Sequence, residues 1–336
     1  MMLRTVLALI FAVTLAWPAA AQTFKTEHYD LKLSVVADGL DHPWGMAFLP
    51  DGAIVVTERD PGTIRVVEKD GTLRRPLANV PRAYTSGQGG MLDVAIDPDF
   101  AKNQLIYFSY AEPGDGGAGT AVARGRLDRA INVLRDVEVL FRQYPKTGGG
   151  RHFGSRLVFS PEKHLYITVG ERGERERAQD FTINRGQVIR INRDGSIPND
   201  NPFVGKEGYR PETWSVGHRN PQGAALNPES GKLWINEHGA RGGDEVNIPL
   251  AGRNYGWPVI SYGVHYSGAK IGVGTHKEGM EQPVYYWDPS IAPSGMAFYT
   301  GDKFPKWKGN AFVGALKYQL LARLTLDGEK VVSEER

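Results

Sequence analysis

Cysteine is absent from all 336 residues. Disulfide staples, thiolate metal ligands and a thiol nucleophile are therefore excluded; an oxidising compartment is allowed, but core burial or bound ions must hold the fold. Charge of one sign is also missing: 40 Lys and Arg stand against 38 Asp and Glu, a net +2. Nothing at the level of the whole chain calls for a nucleic-acid partner. Long apolar runs are lacking as well. The longest, "VLALIFAVTLAW", covers about 12 residues against the roughly 20 a helix needs to cross a bilayer, so stable membrane insertion is not expected. That run follows Arg4 and leads into "PAAAQ". A short basic start, an apolar middle and small residues at Ala19 and Ala21 predict a secretory signal over 1–21, cleaved before Gln22, and a periplasmic or secreted product. No long window carries a helical period.

Glycine is plentiful, at 41 residues, and one phrase is used five times. It appears as "WGMAFLPDGAIVVTER" from Trp44, "MLDVAIDPDFAKNQLIYFSY" from Met91, "SRLVFSPEKHLYITVGER" from Ser155, "GAALNPESGKLWINEHG" from Gly223 and "GMAFYTGDKFPKWKGNAFVGAL" from Gly295. Each reads as an alternating strand, a polar turn and a second strand rich in Val, Ile, Tyr or Trp. Further strand candidates lie between them, such as "TIRVVEKDG", "GQVIRINRDG" and "LLARLTLDG". About four short strands recurring every 50–70 residues or so predict an all-β fold, a β-propeller over 22–336. A β-sandwich would explain the alternation but not the repeated phrase. Five copies imply either five blades or a six-bladed ring whose last blade is incomplete in this chain; the second is the expectation.

Candidate chemistry clusters just before or after the same strand of several blades, which would bring it to one end of the ring. "TSGQGGMLDV" puts Gln88 on a Gly-rich loop, and "GGGRHFGSRL" puts His152 between glycines, where an imidazole could serve as a base near neutral pH. "GHRNPQG" sets Arg219 and Asn220 before a strand; a guanidinium suits carboxylates and quinone oxygens. "NEHGARGGDEVN", residues 236–247, offers backbone carbonyls beside Asp244 and Glu245, the oxygen donors a hard cation such as Ca²⁺ takes. The aromatic loops 252–263 and 285–295 could wall a flat ligand or a sugar. Taken singly, each is equally a turn glutamine, a surface histidine, a polar loop or propeller packing.

In their order, "GQGGMLDVAIDPDF", "HFGSRLVF", "GHRNPQG", "NEHGARGGDE", "NYGWP" and "PSIAPSG" resemble the soluble PQQ-dependent glucose/sorbosone dehydrogenases, nearest to the periplasmic aldose sugar dehydrogenases. The resemblance runs from about Asp30 to the C-terminus. It implies a six-bladed propeller that holds pyrroloquinoline quinone (PQQ) and Ca²⁺ on its axis and oxidises aldoses to lactones, passing electrons to an external acceptor such as a quinone, cytochrome or dye. By position it implies His152 as the catalytic base, Gln88 as a cofactor contact, Arg219 and Asn220 as the pair at the quinone, and Lys317 as the partner of a cofactor carboxylate, with Tyr266 as a further neighbour. Carbonyls of Gly239 and Ala240 would bind the catalytic Ca²⁺; Glu245 and Tyr255 would bind a second, structural one. Three departures accompany it. Ala240 stands where some members have Pro. Arg151 stands where the glucose enzymes have Asp, so the pattern does not supply the residue that orients His152. The family's pair of cofactor-binding arginines in the last blade has no counterpart before Arg336, from which weak PQQ binding is expected. Two rival functions are a Ca²⁺-dependent hydrolase of lactonase type, which would need several axial carboxylates, and a non-catalytic binding propeller.

Overall fold

The computed structural model describes residues 23–336; the predicted signal over 1–21 lies outside the described residues. Two compact units divide at Val36 and Ala37. The first holds an antiparallel hairpin, β1 (Thr23–Lys25) and β2 (Asp30–Lys32). Its turn is closed by Thr26, whose hydroxyl accepts from the Tyr29 N–H at 2.9 Å and donates to the Tyr29 carbonyl at 2.7 Å.

The second unit is a β-propeller of five successive antiparallel sheets. The first comprises β3 (Pro43–Phe48), β4 (Ile54–Glu58) and β5 (Thr63–Val67). The second comprises β6 (Met91–Ile96), β7 (Leu105–Gly114), β8 (Gly117–Asp128) and β9 (Val133–Arg142), with the single-turn helix α1 (Phe100–Asn103) between β6 and β7. The third runs β10 (Gly154–Phe159), β11 (Leu165–Val169), β12 (Gln187–Ile191) and β13 (Thr213–Val216). The fourth runs β14 (Pro221–Leu226), β15 (Leu233–Glu237), β16 (Asp244–Asn247) and β17 (Tyr285–Trp287). The fifth runs β18 (Pro293–Phe298), β19 (Ala311–Ala315), β20 (Leu320–Asp327) and β21 (Lys330–Glu335). Each copy of the repeated phrase is the first hairpin of one sheet. The expectation of six blades is corrected here: the described residues form five propeller sheets, because each sheet grows from one copy of the phrase and the sequence has five copies.

The core lies in layers between neighbouring sheets. Val55, Ile64 and Val66 of the first meet Ile106, Phe108 and Leu134 of the second. Tyr107 and Val122 meet Leu165, Ile167 and Ile189. Val188 meets Leu233 and Ile235, and Trp234 and Trp287 meet Val313 and Leu324. Burying one such side chain stabilises by about 1.5–3 kcal/mol, so each layer fixes the angle between its two sheets. Among the described residues no comparable layer joins the fifth sheet to the first; Met46 and Phe48 of β3 and Leu316 after β19 are exposed.

First strands of consecutive sheets pack on one another around the centre. All five carry a bulge at the same place: between Pro43 and Met46, Met91 and Val94, Gly154 and Leu157, Pro221 and Gly223, and Pro293 and Met296. A bulge re-aims the residues inside it. Those residues include Trp44, Asp93, Arg156, Gln222 and Ser294, which line one central cavity of about 750 Å³. Arg156 joins four of the five sheets. Its Nη1 donates to Asp93 Oδ1 at 3.0 Å, its Nε donates to the Gln222 carbonyl at 2.6 Å, and its guanidinium lies 4.0 Å over the Trp44 ring.

Removing one member of a buried ion pair leaves the other charge uncompensated, at a cost of about 3–5 kcal/mol. Arg156→Met is expected to lower the unfolding free energy measured by urea titration by that order, and the double change Arg156→Met with Asp93→Asn to lose less. Equal losses in the single and double variants would show that the pair is not what joins the sheets.

Candidate functional site

His152 sits two residues before β10 with a left-handed backbone, φ 57°. Its N–H donates to Gln88 Oε1 at 2.7 Å, and its ring Nδ1 pairs with Glu171 Oε1 at 2.8 Å. Glu171 follows β11 of the same sheet and is buried. Gly170 lets the two approach: a Cβ there would run into the His152 carbonyl. With the Nδ1 proton held by the carboxylate, Nε2 keeps its lone pair. Burial pushes the imidazole below its ordinary value; Glu171 opposes that shift, while Arg219 and Arg151 add to it. The ring is therefore neutral at pH 7 and competent as a base.

One sheet further on, the same local design holds Arg219, two residues before β14. Its N–H donates to Glu237 Oε2 at 2.6 Å, and its carbonyl accepts the Glu171 N–H at 3.0 Å. The other Glu237 oxygen pairs with His218 Nδ1 at 2.8 Å; His218 Nε2 meets Ser215 Oγ at 2.9 Å, and its ring stacks on Tyr255 at 4.7 Å. The guanidinium of Arg219 reaches the His238 carbonyl at 3.2 Å and lies 5.3 Å over Trp257, with Tyr266 Oη at 3.5 Å. Its Nε is buried without an acceptor.

The amides of Gln88 and Asn220 are both held through their oxygens. Asn220 Oδ1 accepts the Gly154 N–H at 3.1 Å and a Gln222 N–H at 3.2 Å, just as Gln88 Oε1 accepts the His152 N–H. Backbone N–H groups can only donate, so these contacts fix which end of each amide is oxygen. The NH₂ groups of Gln88 and Asn220 have no acceptor among the described residues, and both side chains line the central cavity described above.

Gly239 and Ala240 line a second cavity of about 820 Å³ together with Tyr266 and Lys317; Gln88 and Asn220 line the central one, and His238 borders both. Asp244 sets this loop. Its Oδ1 accepts from the Gly239 N–H at 2.8 Å and Ser290 Oγ at 3.0 Å, and its Oδ2 from the Ile291 and Ala292 N–H groups at 2.8 Å each. The Lys317 N–H in turn donates to the Ile291 carbonyl at 3.1 Å.

Glu245 lies across the ladder from Glu237. Burial, with Glu237 adding to it, pushes its carboxyl up to about 8. Both border a void of about 10 Å³, alongside Gly239, Tyr255 and Ser261. Tyr255 contributes no free hydroxyl: that group donates to the Ile248 carbonyl and accepts the Leu250 N–H at 3.0 Å. Among the described residues no group of three or more His, Cys, Asp or Glu could hold a metal ion. Ca²⁺ also takes carbonyl oxygens, so a facing carboxylate pair beside a Gly-rich turn suits it.

Glu171, Glu237 and Arg172 are missed by sequence reasoning. The available signal was positional: an acid at or just past the end of the second strand in successive copies of the phrase, "TVGER" and "INEHG".

A neutral base close to cationic and amide donors that lack acceptors in the protein is equipment suited to an enzyme acting on an acceptor-rich partner, and a β-propeller carries it. The kind of enzyme follows from likeness. The chain belongs to the glucose/sorbosone dehydrogenase family, whose description, Glucose / Sorbosone dehydrogenase, matches residues 40–336. Aldose sugar dehydrogenase YliI of Escherichia coli (strain K12) is 48% identical over 310 residues, 91% of this chain and 83% of that protein. A crystal structure of a glucose dehydrogenase, 51% identical, superposes with a TM-score of 0.88 over 90% of this chain and 88% of its own. The PQQ-bound form of an aldose sugar dehydrogenase from Streptomyces coelicolor, 30% identical, gives 0.74 over 95% and 85%.

Glu171→Gln is expected to cut turnover by roughly 10²–10⁴, the cost of a base with the wrong tautomer or aim. Its pH profile carries the sign. A neutral base gives a rate that rises with pH through the ring's own pKa, below 6.5 in the native protein. Losing the carboxylate, which favours the charged ring, moves that acid limb to still lower pH. A limb that stays in place or moves up would show that Glu171 does not govern the base.

Proposed function

We propose that the chain oxidises aldose sugars at the anomeric carbon to lactones, with PQQ and Ca²⁺ bound and the electrons passed to an external acceptor. One observation carries the reading. Arg219 Nε, the Gln88 and Asn220 amide NH₂ groups and Lys317 Nζ are donors with no acceptor among the described residues; Gln88, which holds the His152 N–H, and Asn220 border the central cavity, Lys317 the second, and Arg219 the small void beside Glu237 and Glu245. PQQ, a flat tricarboxylate bearing an ortho-quinone, is rich in the acceptors they lack.

When bound, PQQ supplies the hydride acceptor and Ca²⁺ a Lewis acid. Arg219 and Lys317 would balance its carboxylate or oxyanion charge, and the two amides would fix its orientation. Gly239 and Ala240 would offer carbonyls to the catalytic Ca²⁺, and Glu245 with the turn around Tyr255 would hold the structural one. His152 Nε2 would take the proton from the oxygen of the anomeric hydroxyl. Glu171 accepts the Nδ1–H bond throughout and offsets the charge of the imidazolium. Arg219 and Arg151 disfavour that charge, so the ring gives its proton up again to solvent. Periplasmic or secreted placement rests on the predicted signal over 1–21.

Reconstitution with PQQ and Ca²⁺, followed by a panel of aldoses with a dye acceptor, tests the activity. His152→Ala is expected to leave PQQ titration nearly unchanged and to lower turnover by roughly 10²–10⁴; near-normal turnover would sink its assignment. Melting in excess Ca²⁺ against EDTA tests the structural ion. A ligand at 100 times its Kd adds about 2.7 kcal/mol, so coincident transitions would refute a tight site.

A further inference from the structure

The peptide bond that joins Arg151 to His152 is held at both ends by side chains. Its N–H donates to Gln88. Its carbonyl accepts from Nη1 of Arg172, the residue that follows the ring's carboxylate partner Glu171. The other end of the same guanidinium donates from Nη2 to the Gly149 carbonyl at 2.8 Å, and its plane lies 3.4 Å over the ring of Phe153. One buried side chain thus grips residues 149, 151 and 153, on both flanks of His152. Arg172 is itself left-handed, φ 64°, and only 2% exposed. Burial and the neighbouring Arg185 pull it down to about 10, which leaves it cationic at neutral pH.

The left-handed backbone of His152 is a conformation a non-glycine residue holds only when its surroundings impose it, at a cost of order 1–3 kcal/mol. Gln88 alone fixes one atom of the preceding peptide plane and leaves the plane free to rotate about that bond. Fixing its carbonyl as well removes that freedom. We propose that Arg172 is the positioning residue of the base: by holding the backbone on either side of His152 it keeps the ring against Glu171 with Nε2 presented to substrate. The three consecutive residues Gly170, Glu171 and Arg172 would then act as one unit, the first making room for the His152 carbonyl, the second aiming the ring, the third locking the loop.

This inference rests on the proposed oxidation for its kinetic arm only. In Arg172→Met the turnover number is expected to fall by about 10²-fold, the effect of a small misplacement of a reacting group, with KM for the aldose changed less than about threefold. Free guanidinium added to Arg172→Ala should restore part of the rate. The second arm needs neither cofactor nor substrate. In the apoprotein, the His152 ring is identified by ¹⁵N spectra as the histidine signal missing from His152→Gln, and is titrated. The charged and titratable groups around it are Glu171, Arg151, Arg219 and His238. Once the ring leaves its buried place, its titration should move up toward the ordinary imidazole value in Arg172→Met, and part of the way in Arg172→Lys, which can still make one of the two bonds. A merely structural arginine would lower stability and leave the ring's titration alone. An unchanged titration overturns the proposal, read in Arg172→Lys if Arg172→Met does not fold. A native protein that oxidises no aldose would instead overturn the proposed function, with the titration still deciding the role of Arg172.

Discussion

The guanidinium of Arg156 is the point on which the rest of the propeller turns. Sheets in this fold meet through apolar layers, which resist separation but tolerate sliding. Arg156 adds direction: an ion pair to Asp93, a hydrogen bond to the Gln222 carbonyl and a stacking contact with Trp44 fix three neighbouring first strands against its own. It can do so because all four residues stand inside bulges. Regular pairing would give them the alternating aim of the ladder; the bulge turns them to the centre instead. Asp93 is buried deeply enough for desolvation to push its carboxyl up despite the nearby guanidinium, so the pair's worth lies in where it holds the strands.

From that centre the active end follows by repetition. In the first and fourth sheets the second strand ends in a glutamate that accepts the N–H of the residue two before the first strand: Glu58 takes the Asp41 N–H at 2.9 Å, Glu237 the Arg219 N–H at 2.6 Å. In the third sheet the acid lies just past the strand, and the residue two before β10 is a histidine whose ring, not its N–H, meets the carboxylate. The N–H so released is taken by Gln88 from the second sheet. A contact that elsewhere only closes a blade has here become the alignment of the proposed base. The Glu171 N–H bonded to the Arg219 carbonyl links that base to the next blade's cationic donor, so the spacing of the two is set by backbone rather than by long side chains.

This division explains what was legible in the sequence. The hairpins were, because strand alternation and turn residues are local, and the phrase "LVFSPEKHLYITV" carries both. So were the loops bearing His152, Arg219 and Gly239, because glycines mark where backbone must turn sharply or approach closely; Lys317 came only from the resemblance. Number of blades was misjudged because an unfinished sixth unit was expected beyond the five copies of the phrase, an expectation the resemblance then reinforced. Glu171 was hidden for a different reason. It lies 19 residues from His152 in the chain and meets it only through pairing of β10 with β11. In "VGERGERERAQD" its carboxylate is one of several acids and looks like the rest of a solvated turn. What distinguishes it is burial, which one strand cannot display.

The same burial carries an energetic cost. Glu237 and Glu245 face one another across a ladder, and desolvation already pushes Glu245 toward neutrality; in water neither effect would arise. Arg219 is desolvated with an unsatisfied Nε. An interior that holds facing buried carboxyls and orphaned donors in fixed geometry loses stability to both. Sequence alternatives that relieve this are easy to imagine, since an apolar residue at 245 would pack and a smaller one at 219 would need no partner. Their absence here accords with the proposed function: the groups that weaken the ring are the ones proposed to bind PQQ and Ca²⁺. Polar strain at the axis and firm apolar layers between the sheets are then complementary, the layers holding the donors still so that a ligand meets them without rearrangement.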